Sequence, residues 1–231
     1  MTIYKKINEY LDNQEKNKYN NMIDYTKISD SLTNDKLKEM CKEAEENNFY
    51  SVCVLPDFIT KAKSFLKSGT VKISALVDYP KGESGVKQKI SEIDKSIVNG
   101  ADEIDVVVNY NLIKNPEYHE ELEEEIRKLS EYCHREGSVI KTIIEIGSLN
   151  YQELESICKM CIDSNVDCIM TSTGKLPNDG SFESKIDKVK FMRKILPDDM
   201  KIKFSGGVRH LSQIKELSGI VDRIGTSFII K

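Results

Sequence analysis

The sequence predicts a closed (β/α)8 barrel, and three observations carry that prediction. Apolar, β-branched runs alternate with helical patterns along the 231 residues until eight strand candidates have appeared. The runs VCVL, IDVVV and KTIIEI are almost continuously apolar, as strands buried on both faces of a parallel sheet should be. No G-x-G-x-x-G follows the first strand, which weakens the open dinucleotide-binding alternative. A single barrel runs to roughly 250 residues. With no linker, repeat or low-complexity segment, residues 1–231 read as one domain, 1–20 being a leading helix and linker.

The elements follow in order. A leading helix over 3–14 places Ile3, Ile7, Tyr10 and Leu11 at helical spacing. A strand at 22–28 precedes a helix at 34–48, where Leu37, Met40, Cys41 and Ala44 form one face. Strand 51–55, a short helix 58–66 and strand 72–79 come next, then helix 86–99 and strand 103–110. Helix 117–136 carries the acidic run EELEEEIRKL, read as its solvated face. Strand 139–146, helix 151–165, strand 167–172 and helix 183–195 continue the alternation. Strand 201–206, a brief helix 211–217 and strand 223–227 complete it. The sequence stops at Lys231, so no eighth helix is expected after the last strand. The apolar gap this would leave calls for a cover, either the leading helix or a second copy of the chain.

Hydrophobic residues make up 39% of the chain, enough for a sizeable core, and the net charge of -4 argues against nucleic acid or an anionic membrane as partner. No run approaches the ~18 apolar residues of a membrane helix. The N-terminus lacks an apolar signal core, so a cytoplasmic location is expected. Six cysteines are scattered along the chain. Cys158 and Cys161 form a C-x-x-C inside an amphipathic helical run with no second pair at zinc spacing, so buried thiols are expected rather than a metal or redox site. No metal and no cofactor is predicted.

In such barrels the active site lies at the C-terminal ends of the strands. Those ends supply Asp24, Asp57, Asp78, Asn109, Glu145, residues 171–175, residues 205–209 and residues 225–227. The turns TSTGK, SGGVR and IGTS carry glycines on three adjacent strands, with Lys175 and Arg209 at hand. One glycine turn would serve only to reverse the chain. Three together, beside two cations, predict an anion site built from backbone N–H groups. Charges also fall inside strands: Asp105 in EIDVVV, Lys203 in KIKFSG, and Lys141 in VIKTIIEI along with Glu145. A buried charge is costly unless paired. Spacing leaves open whether an Asp105–Lys203 pair is structural or moves protons.

The strings VCVLPDFI, GADEIDVVVN, IKTIIEIG, TSTGK and KFSGGVR closely resemble, in order, those of the deoxyribose-phosphate aldolase family, from about residue 24 to residue 227. The resemblance implies a class I lyase of deoxyribonucleotide catabolism. Such an enzyme reversibly cleaves deoxyribose 5-phosphate to acetaldehyde and glyceraldehyde 3-phosphate without a metal. A strand-six lysine forms an imine that serves as the electron sink for C–C cleavage. By position, Asp105 and Lys203 look like the proton-moving pair. Phosphate binding carries over to Thr173, Gly174, Lys175, Gly206, Gly207, Arg209, Gly225, Thr226 and Ser227. Asp24, Cys53, Lys141 and Glu145 are further candidates. The resemblance also implies a sugar phosphate as ligand and a homodimer as a plausible assembly.

The departure is at the nucleophile. Where the family reads Ile-Lys-Thr-Ser-Thr-Gly-Lys, this chain reads Ile169, Met170, Thr171, Ser172, Thr173, Gly174, Lys175. Methionine has no amine, but it approaches lysine in length and suits an apolar barrel layer. The scaffold should therefore survive while the covalent step is lost. The tail that ends in an active-site tyrosine in some family members is also absent from this sequence. Met170 has three accounts: an introduced substitution, a natural non-catalytic paralogue, or a site in which Lys203 has taken over. The third is the weakest, because removing one of two neighbouring lysines while Asp105 stays favours a protonated Lys203. The alternative function is a non-catalytic sugar-phosphate-binding or interaction module on the same barrel.

Overall fold

Eight short strands close into a ring in a computed structural model, which describes residues 18–28, 32–177 and 179–227. They are β1 (Ile23–Thr26), β2 (Ser51–Val54), β3 (Lys72–Val77), β4 (Glu103–Val107), β5 (Val139–Ile143), β6 (Cys168–Met170), β7 (Lys201–Ser205) and β8 (Arg223–Thr226). Each pairs in parallel with the next, and β8 pairs with β1. The connecting α-helices among the described residues are α1 (Asn34–Glu46), α2 (Ile59–Phe65), α3 (Val86–Val98), α4 (Tyr110–Ile113), α5 (His119–Arg135), α6 (Tyr151–Asp163), α7 (Phe182–Ile195) and α8 (Leu211–Leu217). The predicted barrel is the observed one. The leading helix expected at 3–14 lies outside the described residues, as does whatever follows residue 227.

Side chains alternate across each strand, so the barrel has two cores. Outward residues such as Ile104, Ile140, Ile169, Ile202 and Ile224 pack beneath the helices with Leu122, Ile126, Leu154 and Val189. Inward residues form stacked layers, one of them apolar: Cys53, Leu76, Val107, Ile143 and Met170. Burying an aliphatic side chain of this size stabilises the fold by about 1.5–3 kcal/mol. The helices are punctuated as their sequences demand. Thr33 caps α1 through the Lys36 N–H, and Asn150 with Glu153 forms a reciprocal capping box on α6.

Several strands end earlier than their apolar patterns predict. β4 stops at Val107 because Asn109 turns to cap α4, its side chain accepting the Asn111 N–H at 3.1 Å. β3 and β5 stop before Asp78 and Glu145, whose φ values of 53° and 55° turn the chain out of the sheet. The predicted helix 117–136 is preceded by α4 and a 3-10 turn at Pro116–Tyr118, where proline suits the first position. All six cysteines are free and buried, Cys158 and Cys161 on the inner face of α6. Among the described residues no helix is long and apolar enough to cross a membrane.

Candidate active site

Charge inside the barrel is gathered into one buried cluster. Asp105 is its hub. Its Oδ1 accepts hydrogen bonds from Lys141 Nζ (2.6 Å) and Ser74 Oγ (2.7 Å). Its Oδ2 accepts from Lys203 Nζ (2.5 Å), with the Cys53 thiol at 3.5 Å. Lys203 also lies 2.8 Å from Asp24 Oδ2, and Asp24 Oδ1 accepts from Ser51 Oγ (2.7 Å) and from Arg223. Lys141 completes the set with Glu103 Oε2 at 2.6 Å. Three carboxylates thus face three cations, all buried, the arrangement a buried charge needs.

This geometry fixes protonation. Burial alone would raise the Asp105 carboxyl, but Lys141 and Lys203 outweigh it and hold the group at about 2. Burial alone would lower the Lys203 ammonium, but Asp105 and then Asp24 outweigh it and hold the group well above its usual range. Burial pushes the Cys53 thiol up to about 12. At neutral pH neither Lys203 nor Cys53 presents a free nucleophile.

The apolar layer lies nearer the mouth, and Met170 belongs to it. Met170 pairs in register with Ile143 on one side and Lys203 on the other. It faces a cleft of about 220 Å³ at the C-terminal ends of the strands. Thr173, Gly174, Lys175, Gly206, Gly207, Arg209, Gly225, Thr226 and Ser227 all line this cleft, so the three turns are brought together, while Thr171 and Ser172 are buried behind it. Lys175 and Arg209 are exposed at the rim. The turns are tied to one another: Ser205 Oγ donates to Ser172 O (2.5 Å), Thr226 Oγ1 to Val208 O (2.8 Å), and the Thr173 N–H to Glu145 Oε1 (2.8 Å). A Cβ on Gly225 would come within 3.0 Å of Ser205 Cβ and 3.3 Å of Lys203 Cε, so glycine there lets β8 close against the buried lysine.

Other sequence candidates go elsewhere. Asp24 is an in-strand member of the charge layer and does not reach the mouth. Lys141 and Glu145, four residues apart in sequence, separate: the lysine joins the charge layer, the glutamate braces Thr173. Asp57 is exposed on a 3-10 turn, Asp78 accepts the Ser84 N–H (2.9 Å), and Asn109 caps α4. The sequence reading missed Glu103 and Arg223, although each sits two residues from an inward position, Asp105 and Gly225. It also missed Tyr79, which lines the cleft, and the Asp179–Lys185 pair beside it, none of which carries a local signal. A larger hollow of about 470 Å³ opens beside Glu103 and Arg223, but at the N-terminal ends of the strands, away from the glycine turns. Among the described residues no group of three or more His, Cys, Asp or Glu side chains is placed to hold a metal ion.

Comparison with known proteins gives the family of this barrel. Residues 12–223 match the model of the DeoC/LacD family aldolase. The chain is 36% identical over 216 residues to the deoxyribose-phosphate aldolase of Ureaplasma parvum, covering 93% of this chain and 97% of that protein. It is 35% identical over 218 residues to that of Aciduliprofundum boonei, covering 94% and 95%. A solved structure from Coccidioides immitis, provisionally assigned to deoxyribose-phosphate aldolase, superposes with a TM-score of 0.84 at 27% identity, covering 92% of this chain and 83% of that one. The chain therefore belongs to the DeoC/LacD family of aldolases.

Proposed function

We propose that the cleft takes deoxyribose 5-phosphate, with the phosphate on the turns after β6, β7 and β8, and that Met170 stops the reaction before its covalent step. In a deoxyribose-phosphate aldolase the amine of a lysine adds to the C1 aldehyde and water leaves, giving a protonated imine. Loss of the C3 hydroxyl proton then breaks the C2–C3 bond. The electron pair goes into the imine, forming an enamine, and glyceraldehyde 3-phosphate departs. A proton delivered to C2 and hydrolysis of the imine release acetaldehyde. Asp105 and Lys203 lie just beneath the cleft and do not line it; they are proposed to handle these protons with water, Lys141 and Asp24 holding them in place.

One observation carries the reading: the side chain at the cleft floor is a thioether, and the amine beside it in register is engaged by two carboxylates at 2.5 and 2.8 Å. Methionine fills the lysine's volume without its chemistry. The same observation favours a second reading, a non-catalytic sugar-phosphate-binding module. The two are separated by Met170→Lys. Restored release of glyceraldehyde 3-phosphate, followed by coupled reduction, is the expected result. A folded Met170→Lys chain that binds the sugar phosphate but never cleaves it would leave the binding module standing. The family likeness also supports a cytoplasmic homodimer. Light scattering that gives a monomer at every concentration would remove the partner.

A further inference from the structure

Two residues that do not line the cleft join the halves of its rim. Lys185 lies on α7 and is only 3% exposed. A lysine normally leaves its ammonium in water. Here the Nζ turns inward and donates to Asp179 Oδ2 (2.5 Å) and to the Gly206 carbonyl (2.9 Å). Asp179 stands on the segment that follows β6, and its Oδ1 accepts from Ser172 Oγ at 2.7 Å. Gly206 stands on the turn that follows β7. One buried cation therefore reaches both turns from outside them. The fit is close: a Cβ on Gly206 would fall 2.7 Å from Asp179 Oδ2 and 2.9 Å from Lys185 Nζ, and φ at Gly206 is 85°. The turns themselves touch, since a Cβ on Gly174 would lie 3.5 Å from Gly206 Cα. Helix capping does not explain Lys185, because α7 is already capped by the Ser181 side chain, which accepts the Ser184 N–H at 3.1 Å.

We infer that Lys185, paired with Asp179, is a positioning residue that sets the spacing of the β6 and β7 turns for a phosphate group. It does not touch the phosphate. Asp179 neutralises its charge, so the brace shapes the cradle without adding a free cation to it. Backbone N–H groups bind an anion only when they converge, and two turns held by one side chain converge more tightly than two free loops. This inference rests on the phosphate reading of the three turns.

The test is calorimetric titration with inorganic phosphate and with deoxyribose 5-phosphate. Three chains are compared: the unmodified protein, Lys185→Met and Lys185→Arg, each with a thermal melt. Lys185→Met should weaken both probes by roughly tenfold, the scale of one lost charge-assisted hydrogen bond. Lys185→Arg, which keeps the charge and the donors, should recover most of that loss. A merely structural lysine would lower the melting temperature of Lys185→Met and leave the affinities of the folded protein alone, which would overturn the brace while the phosphate reading stands. A folded Lys185→Arg no better than Lys185→Met would overturn it as well. If the unmodified protein binds neither probe, the phosphate reading and the brace fall together. If Lys185→Met does not fold, Asp179→Ala cuts the same tie from the loop side, and an affinity unchanged there would overturn the proposal.

Discussion

Two successive layers of the same eight strands obey opposite rules. The buried layer of Asp24, Glu103, Asp105, Lys141, Lys203 and Arg223 is charged, and its members hold one another by ion pairs. The layer above it, Cys53, Leu76, Val107, Ile143 and Met170, is uncharged, and its Leu76 and Met170 line the cleft. A change in the first layer strands a partner, whereas a change in the second alters only volume and chemistry at the surface of the cleft. Met170, at the position proposed for the nucleophile, lies in the tolerant layer. That is why a barrel of this family can carry methionine there and keep both its fold and its glycine turns.

The largest effect should follow from breaking the charged layer. Lys203→Met leaves Asp24 and Asp105 facing each other without their shared cation, and should cost about 3–5 kcal/mol of stability, read from denaturant unfolding. A loss below about 1 kcal/mol would mean that the layer is not held by its charges. Acid should come next. Asp105 is held at about 2 in the fold against its ordinary 3.8, and Asp24 is shifted the same way by Lys203, Arg223 and Lys141 against its burial. The folded state therefore binds fewer protons than the unfolded chain. Their contribution is fully present above about pH 4 and is lost as pH falls through the folded values. Circular dichroism should show stability falling between pH 4 and 2, and the fall should be shallower in Lys203→Met. An acid profile identical in the two proteins would contradict the assignment.

Smaller effects sharpen the other side of the comparison. Met170→Leu, an apolar exchange of similar volume, should cost less than about 1.5 kcal/mol. A collapse of the fold would place Met170 among the structural residues. Smallest of all, Lys175→Ala at the exposed rim should change stability by no more than about 0.5 kcal/mol while weakening phosphate binding several-fold. Binding that does not change would remove Lys175 from the cradle.

How much of this was legible in the sequence depends on how local the signal is. The barrel was legible because β-branched runs and helical faces alternate with the right periods. The three turns were legible because glycine beside hydroxyl and cation is a short-range pattern. Asp105 and Lys203 stood out as charges within apolar strands, but only closure of the ring shows them 2.5 Å apart across 98 positions. Asp24 looked like a strand-end residue, because one residue of register decides whether a side chain reaches the mouth or the interior. Lys185 could not be found at all. A lysine on an amphipathic helix reads as solvated until the loop facing it is known.

The central claim is that this chain keeps the sugar-phosphate barrel but has no amine free to form the imine. Borohydride trapping with deoxyribose 5-phosphate, followed by peptide mapping, tests it most directly, because reduction fixes any imine as a stable mass increment. The unmodified chain should carry no adduct on the segments 168–175 and 201–209, and Met170→Lys should carry one at position 170. An adduct on Lys203 of the unmodified chain would contradict the account, since it would require the ammonium between Asp24 and Asp105 to give up its proton and attack.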